Sequence, residues 1–193
     1  MNLPNKLTMI RIIMIPVFIA CFFLPESWVL FSLNGVDICL KYIIAGLVFL
    51  AAYVTDTLDG RIARKRGLVT DFGKLMDPMA DKVLVMAALI IILDWGKLGK
   101  LGPLVVIILL GREFLISSFR LIAASTGVVI AAGSIGKLKT VVQLVGISLV
   151  FLENPIFSIW NIPMGEILVY LSTILSIWSC IEYIAKNKEL LRG

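Results

Sequence analysis

The 193-residue chain has no histidine and little charge. Without histidine, a general acid or base must be a carboxylate, a lysine, a tyrosine, a cysteine or a metal-bound water. Charged residues make up 16% of the chain and hydrophobic residues 60%, with a mean hydropathy of +1.01. A soluble domain carries about 25% charged residues. The composition therefore argues against a soluble domain and predicts one all-α integral membrane domain over residues 1–193.

Cysteine is also scarce. Cys21, Cys39 and Cys180 lie in or beside apolar stretches, and none forms a CxxC pair. This pattern argues against disulfides and against zinc ligands. The net charge of +5 comes from basic residues that flank apolar segments rather than from one long basic face. Nucleic acid is therefore a poor candidate for a partner, and anionic membrane lipids are a better one.

Helix breakers divide the chain into six largely apolar segments, each close to the roughly 20 residues that cross a bilayer. The segments are 7–25, 38–62, 73–94, 102–124, 138–153 and 164–185. Basic residues concentrate at both termini, between the second and third segments, and after the fourth. By the positive-inside rule, this predicted six-transmembrane-helix bundle has both termini in the cytoplasm.

Two acidic clusters interrupt the apolar segments. Asp56 and Asp59 are three residues apart in the second segment, and Asp77 and Asp81 are four apart in the third. These spacings place each pair on one helical face, and the short connection makes the two helices antiparallel neighbours. Four carboxylates in a low-dielectric site repel one another unless a cation is bound. Oxygen ligands suit Mg²⁺, Mn²⁺ or Ca²⁺, and two such ions can clamp a diphosphate.

Two other roles for the aspartates remain open. The first is structural, as helix caps or as ion-pair partners of Arg61, Arg64, Lys74 and Lys82. Carboxylates are costly to bury in a membrane, which favours a functional site. The second is a cation transporter, which predicts polar groups on several helices at the bilayer midplane and often internal repeats. Here the carboxylates cluster at one side, and the sequence contains no visible repeat.

Small and basic residues accompany the aspartates. Gly60 and Ala63 follow on the next turn, roughly on the same face, and leave space for a base or a ribose. Arg64 supplies a cation that can hold a phosphate. Gly73 permits close backbone approach at the start of the third segment. These residue types fit a nucleotide beside the predicted metal site.

The chain resembles the CDP-alcohol phosphatidyltransferase family in one ordered motif, Asp56-xx-Asp59-Gly60-xx-Ala63-Arg64, eight residues, then Gly73-xxx-Asp77-xxx-Asp81. Every position of the family signature is present. The resemblance implies a CDP-linked lipid as phosphatidyl donor, an alcohol as acceptor and CMP as a product. It also implies Mg²⁺ or Mn²⁺ as cofactor, as two ions, and a homodimer.

The resemblance also implies roles for the motif residues. The four aspartates are implied to be metal ligands, and Asp81 is in addition implied to be the general base that takes the proton of the acceptor hydroxyl. The implied CDP cradle consists of Gly60, Ala63 and Arg64. Direct transfer, without a covalent enzyme intermediate, is favoured because no activated serine or cysteine lies beside the aspartates.

Softer likenesses connect the chain to family members that use sn-glycerol 3-phosphate. They are Leu3-Pro4-Asn5-Lys-Leu-Thr8-Met-Ile-Arg11, Asp77-Pro78-Met-Ala-Asp81-Lys82, Gly111-Arg112-Glu113 and Gly136-Lys137-Leu-Lys139-Thr140. They imply CDP-diacylglycerol as donor and sn-glycerol 3-phosphate as acceptor, with serine or an inositol phosphate as alternative acceptors. Thr8 and Asn5 are candidates for nucleotide contact, although Thr8 equally suits a helix N-cap.

An acceptor with a phosphate needs cations in a partly dry cavity. Arg112 lies well inside the fourth segment, where an unpaired arginine is costly. Its structural alternative is a pair with Glu113, but adjacent helical residues do not face each other, which favours a phosphate partner. Lys137 and Lys139 lie at a helix start, where the dipole favours an anion, with topology as their alternative role. Arg120 fits either group.

Overall fold

The computed structural model describes residues 3–33, 36–66, 71–125 and 133–187, which are about 83% helical. Six α-helices lie in these ranges: α1 Leu3–Ala20, α2 Leu40–Arg66, α3 Asp71–Asp94, α4 Gly102–Ser125, α5 Ser134–Phe151 and α6 Met164–Lys186. Short 3-10 helices cover Cys21–Phe23, Gly99–Leu101 and Phe157–Trp160. Each of the six predicted segments overlaps one α-helix, so the helical architecture is confirmed.

A β-hairpin departs from the all-α prediction. Strands β1 (Val29–Leu33) and β2 (Val36–Cys39) pair antiparallel, with Val29 opposite Cys39 and Leu33 opposite Val36. β-branched and aromatic residues in β1 favour an extended backbone over a helix. The two residues between the strands lie outside the described ranges. The extended strands also explain why α2 begins at Leu40 rather than at residue 38.

Two helix boundaries matter for the predicted sites. Helix α2 continues to Arg66, so the whole stretch from Asp56 to Arg64 lies within one uninterrupted helix. Helix α5 begins at Ser134 rather than at residue 138, so Lys137 lies in its first turn. An early serine favours this start, since serine is readily accommodated at helix N-termini.

Helix α6 has an inverted distribution of polarity. Its buried face carries small polar side chains and a tyrosine: Ser172, Thr173, Ser176, Ser179 and Tyr183. Its exposed face is apolar: Ile167, Leu171, Ile174, Trp178 and Ile181. A helix in water has the opposite arrangement. Among the described helices, α5 and α6 are long and apolar enough to cross a membrane, which is consistent with a helical membrane protein.

The chain divides into two compact units, here called the first and the second unit. The first consists of the described residues of Met1–Ile91 and Phe151–Ile162. Its core is aromatic, because Phe18, Phe49 and Phe151 are fully buried with ring centroids 5.4 to 6.0 Å apart. Edge and tilted ring contacts of this kind add to the stabilisation from burial alone.

The second unit consists of the described residues of Ile92–Val150 and Pro163–Gly193. In it, α5 and α6 approach so closely that a Cβ added at Gly146 would lie 3.0 Å from the Val169 amide nitrogen and 3.1 Å from the Gly165 carbonyl oxygen. The Tyr170 hydroxyl donates a hydrogen bond of 2.6 Å to the Leu98 carbonyl. Glycine at such crossings permits the backbone contact that packs membrane helices.

Candidate active site

The four predicted metal ligands are carried by two helices. Asp56 and Asp59 lie in the C-terminal part of α2, and Asp77 and Asp81 lie in the N-terminal part of α3. Both helices are continuous through these positions. A rise of about 1.5 Å per residue therefore separates each pair by about one turn or less along its axis. The helical spacing on which the metal prediction depends is present in the structure.

Asp81 is the only one of the four aspartates whose side chain the structure describes, and it is half-buried. The other three aspartate side chains lie outside the described residues. The same holds for all six predicted nucleotide contacts, for which the structure gives the helical backbone alone: Asn5, Thr8, Gly60, Ala63, Arg64 and Gly73. For these residues the structure fixes a place in a helix, and the proposed contacts stay predictions.

The fit of a metal ion can be judged from the chemistry of the predicted donors. Among the side chains that the structure describes, no three or more carboxylates, thiols or imidazoles form a group that would hold a metal. Three of the four predicted ligands fall outside that set. Carboxylate oxygen is the ligand that Mg²⁺ and Mn²⁺ prefer, so the residue types at these four positions fit such ions.

A partly buried ionic cluster lies in the second unit, and its centre is Glu113 of α4. The carboxylate Oε1 of Glu113 accepts a hydrogen bond of 2.5 Å from Lys139 Nζ of α5 and one of 3.1 Å from Arg112 Nη1. The Lys139 side chain is 2% exposed, that of Arg112 12% and that of Glu113 29%. One carboxylate oxygen thus accepts hydrogen bonds from two cationic side chains.

This cluster corrects one step of the sequence argument. A pair between Arg112 and Glu113 was considered less favourable than a phosphate partner, because adjacent helical residues point in different directions. Both side chains are long enough to meet beside their helix, and Lys139 approaches the same carboxylate. Lys139 is also less accessible than expected for a residue at a helix start. Its ammonium group is buried against Glu113 instead of being exposed to a ligand.

Helix α6 and Gly136 complete the surroundings of Arg112. Its Nη2 donates a hydrogen bond of 2.9 Å to Ser179 Oγ, and Ser179 donates to the Ser176 carbonyl at 3.1 Å. A Cβ added at Gly136 of α5 would lie 3.3 Å from the same Nη2. The guanidinium group is therefore held between three helices, and glycine at 136 leaves room for it.

Several buried polar atoms of the second unit have no hydrogen-bond partner within the described part of the chain. They are Arg112 Nε, Gln143 Nε2, Ser176 Oγ and Tyr183 OH. Buried polar groups are normally satisfied, so atoms of this kind indicate water or a ligand. Gln143 follows Lys139 by one turn on α5, and Ser176 precedes Ser179 on α6. The polar face shared by these helices thus has unused hydrogen-bonding capacity.

The remaining predicted cations are more accessible. Lys137 is exposed in the first turn of α5, where its backbone N–H bonds to the Gly133 carbonyl. Arg120 is exposed on α4, with its guanidinium carbon 6.0 Å from the centre of the Tyr183 ring. Within the described ranges, neither forms an ion pair. The structure therefore brings Arg112 and Lys139 to one carboxylate and leaves Lys137 and Arg120 outside that pairing.

Comparison with known proteins shows that the aspartates and the ionic cluster lie within one family domain. The family profile described as CDP-alcohol phosphatidyltransferase matches residues 1–178. The chain belongs to the CDP-alcohol phosphatidyltransferase family. The matched range includes both aspartate pairs and Arg112, Glu113 and Lys139. Enzymes of the CDP-alcohol phosphatidyltransferase family generally use divalent metal ions, in agreement with the carboxylate ligands.

Relatives within the CDP-alcohol phosphatidyltransferase family match nearly the whole chain, and three of them share the name CDP-diacylglycerol–glycerol-3-phosphate 3-phosphatidyltransferase. One from Bacillus subtilis (strain 168) is 38% identical over 192 residues, which is 99% of this chain and 97% of the relative. One from Pseudomonas fluorescens is 33% identical over 188 residues, covering 95% and 89%. One from Shigella flexneri serotype 5b (strain 8401) is 34% identical over 198 residues, covering 98% and 97%.

Sequence reasoning missed the roles of three residues of this phosphatidyltransferase, namely Glu113 and Ser179, whose side chains bond to Arg112, and the buried Gln143 of α5. Glu113 was considered only as a local alternative, and Ser179 and Gln143 were not considered at all. Gln143 lies four residues after Lys139 and therefore on the same helical face, so the sequence alone could have predicted that the two side chains share a polar surface. The contact of Ser179 with Arg112 spans 67 residues of sequence, and no local pattern indicates it.

Proposed function

We propose that the protein transfers the phosphatidyl group of CDP-diacylglycerol to sn-glycerol 3-phosphate and releases CMP, as a step of phospholipid biosynthesis. The observation that carries this proposal is the similarity to enzymes of that name over nearly the full length of both chains. The carboxylates on α2 and α3 supply the chemistry that such a transfer needs. The buried cations of the second unit suit an acceptor that carries a phosphate.

In the proposed reaction the acceptor hydroxyl attacks the phosphorus that carries diacylglycerol. A new P–O bond forms to glycerol 3-phosphate, the P–O bond to CMP breaks, and the hydroxyl proton passes to the Asp81 carboxylate. Bound divalent cations, held by the four aspartates, would neutralise the diphosphate charge and favour departure of CMP. Gly60, Ala63, Arg64 and Gly73 are proposed to seat the CDP group, with Asn5 and Thr8 as further contacts.

The acceptor phosphate is proposed to bind to the basic residues of the second unit. Arg112 is the central candidate, because its guanidinium group is buried and retains a hydrogen-bond donor without a partner among the described residues. Lys137 and Arg120 are exposed and can add charge. Lys139 is buried against Glu113, which favours a supporting role over direct contact.

The setting of the reaction is part of the proposal. We propose a multi-pass protein of the bacterial cell membrane, with six spans, both termini in the cytoplasm and the aspartates at the cytoplasmic side. In this arrangement residues 1–193 act as one catalytic domain, and two copies form a homodimer. The apolar outer face of α6 and the lipid nature of the donor support the membrane setting.

A product assay tests the proposed function. Purified protein in lipid–detergent micelles is incubated with CDP-diacylglycerol and either sn-glycerol 3-phosphate, serine, an inositol phosphate or no acceptor, with and without a chelator. We expect CMP release and phosphatidylglycerophosphate with glycerol 3-phosphate alone, and no release once the metal is chelated. Preferential use of another alcohol would contradict the proposed acceptor. Full activity in the chelator would contradict the metal site.

The role of Asp81 has its own test. Asp81→Asn removes the proton acceptor and a metal ligand, and we expect CMP release to fall by about a hundredfold or more, as is typical for loss of a general base. Asp94→Asn is the matched control, since Asp94 is an exposed aspartate at the C-terminal end of the same helix. Asp81 would not be the base if Asp81→Asn kept full metal-dependent CMP release.

A further inference from the structure

The Glu113 carboxylate stands between two cations that are themselves candidates for the acceptor site. We infer that Glu113 is a positioning residue, which holds the Arg112 guanidinium in the orientation that binds the acceptor phosphate. The inference rests on the proposed function and adds a carboxylate to a site for an anion. That addition is unexpected on charge alone, since a carboxylate repels a phosphate.

The contacts and burial of Lys139, Glu113 and Arg112 indicate a different role for each side chain. The Lys139 side chain is 2% exposed, and its ammonium group donates a hydrogen bond to Glu113. Lys139 thus neutralises Glu113 and holds its carboxylate beside α5. The same oxygen atom, Oε1, then accepts a hydrogen bond from Arg112 Nη1. The chain of contacts runs from Lys139 through Glu113 to Arg112.

The guanidinium group is fixed at two of its three nitrogen atoms. Nη1 bonds to Glu113 and Nη2 bonds to Ser179, while the buried Nε has no partner within the described residues. A planar guanidinium with both ends held has a defined remaining edge, which suits recognition of a phosphate oxygen. Without Glu113, the flexible side chain loses one of its two anchors. Fixing such a group in advance lowers the entropy that a ligand must offset on binding.

Positioning and simple electrostatics predict opposite results for one substitution. Glu113→Gln removes a negative charge near the proposed phosphate, so electrostatics alone predicts tighter binding of the acceptor. Loss of positioning predicts weaker binding. Because the glutamine oxygen is a neutral acceptor, the bond from Arg112 loses its charge assistance, and we expect the KM for glycerol 3-phosphate to rise about tenfold. The KM for CDP-diacylglycerol should stay within about twofold, since the donor is assigned to other residues.

Glu113→Gln alone removes a negative charge that contacts the buried Lys139 ammonium group, and such a change can unfold a protein. The double variant Glu113→Gln/Lys139→Gln removes both charges of the pair, so the summed charge of Arg112, Glu113 and Lys139 does not change. We expect it to fold and to show the same selective rise in the acceptor KM. Glu182→Gln is the matched control, because Glu182 is 28% exposed and also accepts a hydrogen bond of 2.5 Å from a lysine, Lys186. We expect wild-type values of both KM constants for this control.

The experiment measures both KM constants and kcat for the wild type and the three variants. It also measures how far glycerol 3-phosphate raises the Tm of each protein, which reports binding independently of turnover. A selective rise in the acceptor KM, with weaker thermal stabilisation, supports the inference. Three results would overturn it: a wild-type acceptor KM in the double variant, a lower acceptor KM in Glu113→Gln, or an equal loss in Glu182→Gln. Wild-type protein that does not use glycerol 3-phosphate would instead overturn the proposed function itself.

Discussion

The close approach of α5 and α6 at Gly146 yields a prediction about stability. In Gly146→Ala the new methyl group would lie 3.0 Å from Leu168 Cβ and from the Val169 amide nitrogen, and 3.1 Å from the Gly165 carbonyl oxygen. Favourable contacts between carbon atoms lie at about 3.5–4.0 Å. Two of the three atoms belong to the α6 backbone, so the helices must separate. Overpacking of this kind costs about 1–3 kcal/mol.

Alanine also has a favourable effect on any helix, which a control must separate from the clash. Replacing a helical glycine by alanine stabilises the helix by about 0.8–1.0 kcal/mol. Gly111 of α4 is the control, because a Cβ there would meet nothing within 4 Å. Gly111→Ala should therefore raise the stability by that amount. The same gain offsets part of the cost of the clash in Gly146→Ala. Its free energy of unfolding should therefore lie between the wild-type value and about 2 kcal/mol below it.

Thermal unfolding of the two variants in the same detergent measures the difference. A gap of about 2 kcal/mol corresponds to roughly 4–8 °C in Tm for a chain of this size. We expect Gly111→Ala to lie above the wild type and Gly146→Ala to lie at or below it. A Tm for Gly146→Ala that equals or exceeds that of Gly111→Ala would refute the packing argument.

Three further predictions concern single contacts. Gly136→Ala should raise the acceptor KM by a few fold, because its methyl group would lie 3.3 Å from the Arg112 guanidinium group. The Tm should change little, because the guanidinium group is the end of a side chain that can shift. An unchanged acceptor KM in steady-state kinetics would contradict this prediction. The hydrogen bond from Lys41 lowers the pKa of Glu26, so the pair stabilises the fold above the ordinary glutamate pKa and loses this effect as the pH falls through the lowered value. The difference in Tm between the wild type and Glu26→Gln should therefore shrink in acid. A Tm difference that is constant with pH would count against this prediction. Tyr170→Phe should cost about 0.5–1.5 kcal/mol through loss of one hydrogen bond, read as a lower Tm, and an unaltered Tm would show that this bond contributes nothing.

The helices and the carboxylate pairs could be predicted from the sequence because both depend on local spacing. Asp56 and Asp59 share a face of α2 whatever the rest of the chain does, and the structure contains that helix. Helix ends were less predictable, since α5 begins at Ser134 instead of at residue 138. The hairpin was missed because a short apolar run at a helix boundary is compatible with both a helix and a strand.

The ionic cluster could not be predicted, for a different physical reason. The bond between Lys139 and Glu113 joins residues 26 positions apart, and it exists because α5 lies beside α4. The rule that adjacent helical residues do not face each other holds for backbone directions. It fails for Arg112 and Glu113, whose long side chains meet once a third charge attracts the carboxylate. The sequence identified Arg112 and Lys139 as candidate site residues, but tertiary packing determines that both bond to Glu113.

The shared carboxylate also has a consequence for how the protein is assembled. In the proposed six-span arrangement, α4 enters the bilayer with Arg112 and Glu113 near the middle of the helix, and the ammonium group that contacts Glu113 is on α5. Ionised side chains in the bilayer are costly until they are paired and shielded. Helices α4, α5 and α6 therefore reach their stable state together, because Lys139 and Ser179 complete the surroundings of the α4 charges only after all three helices have been synthesised.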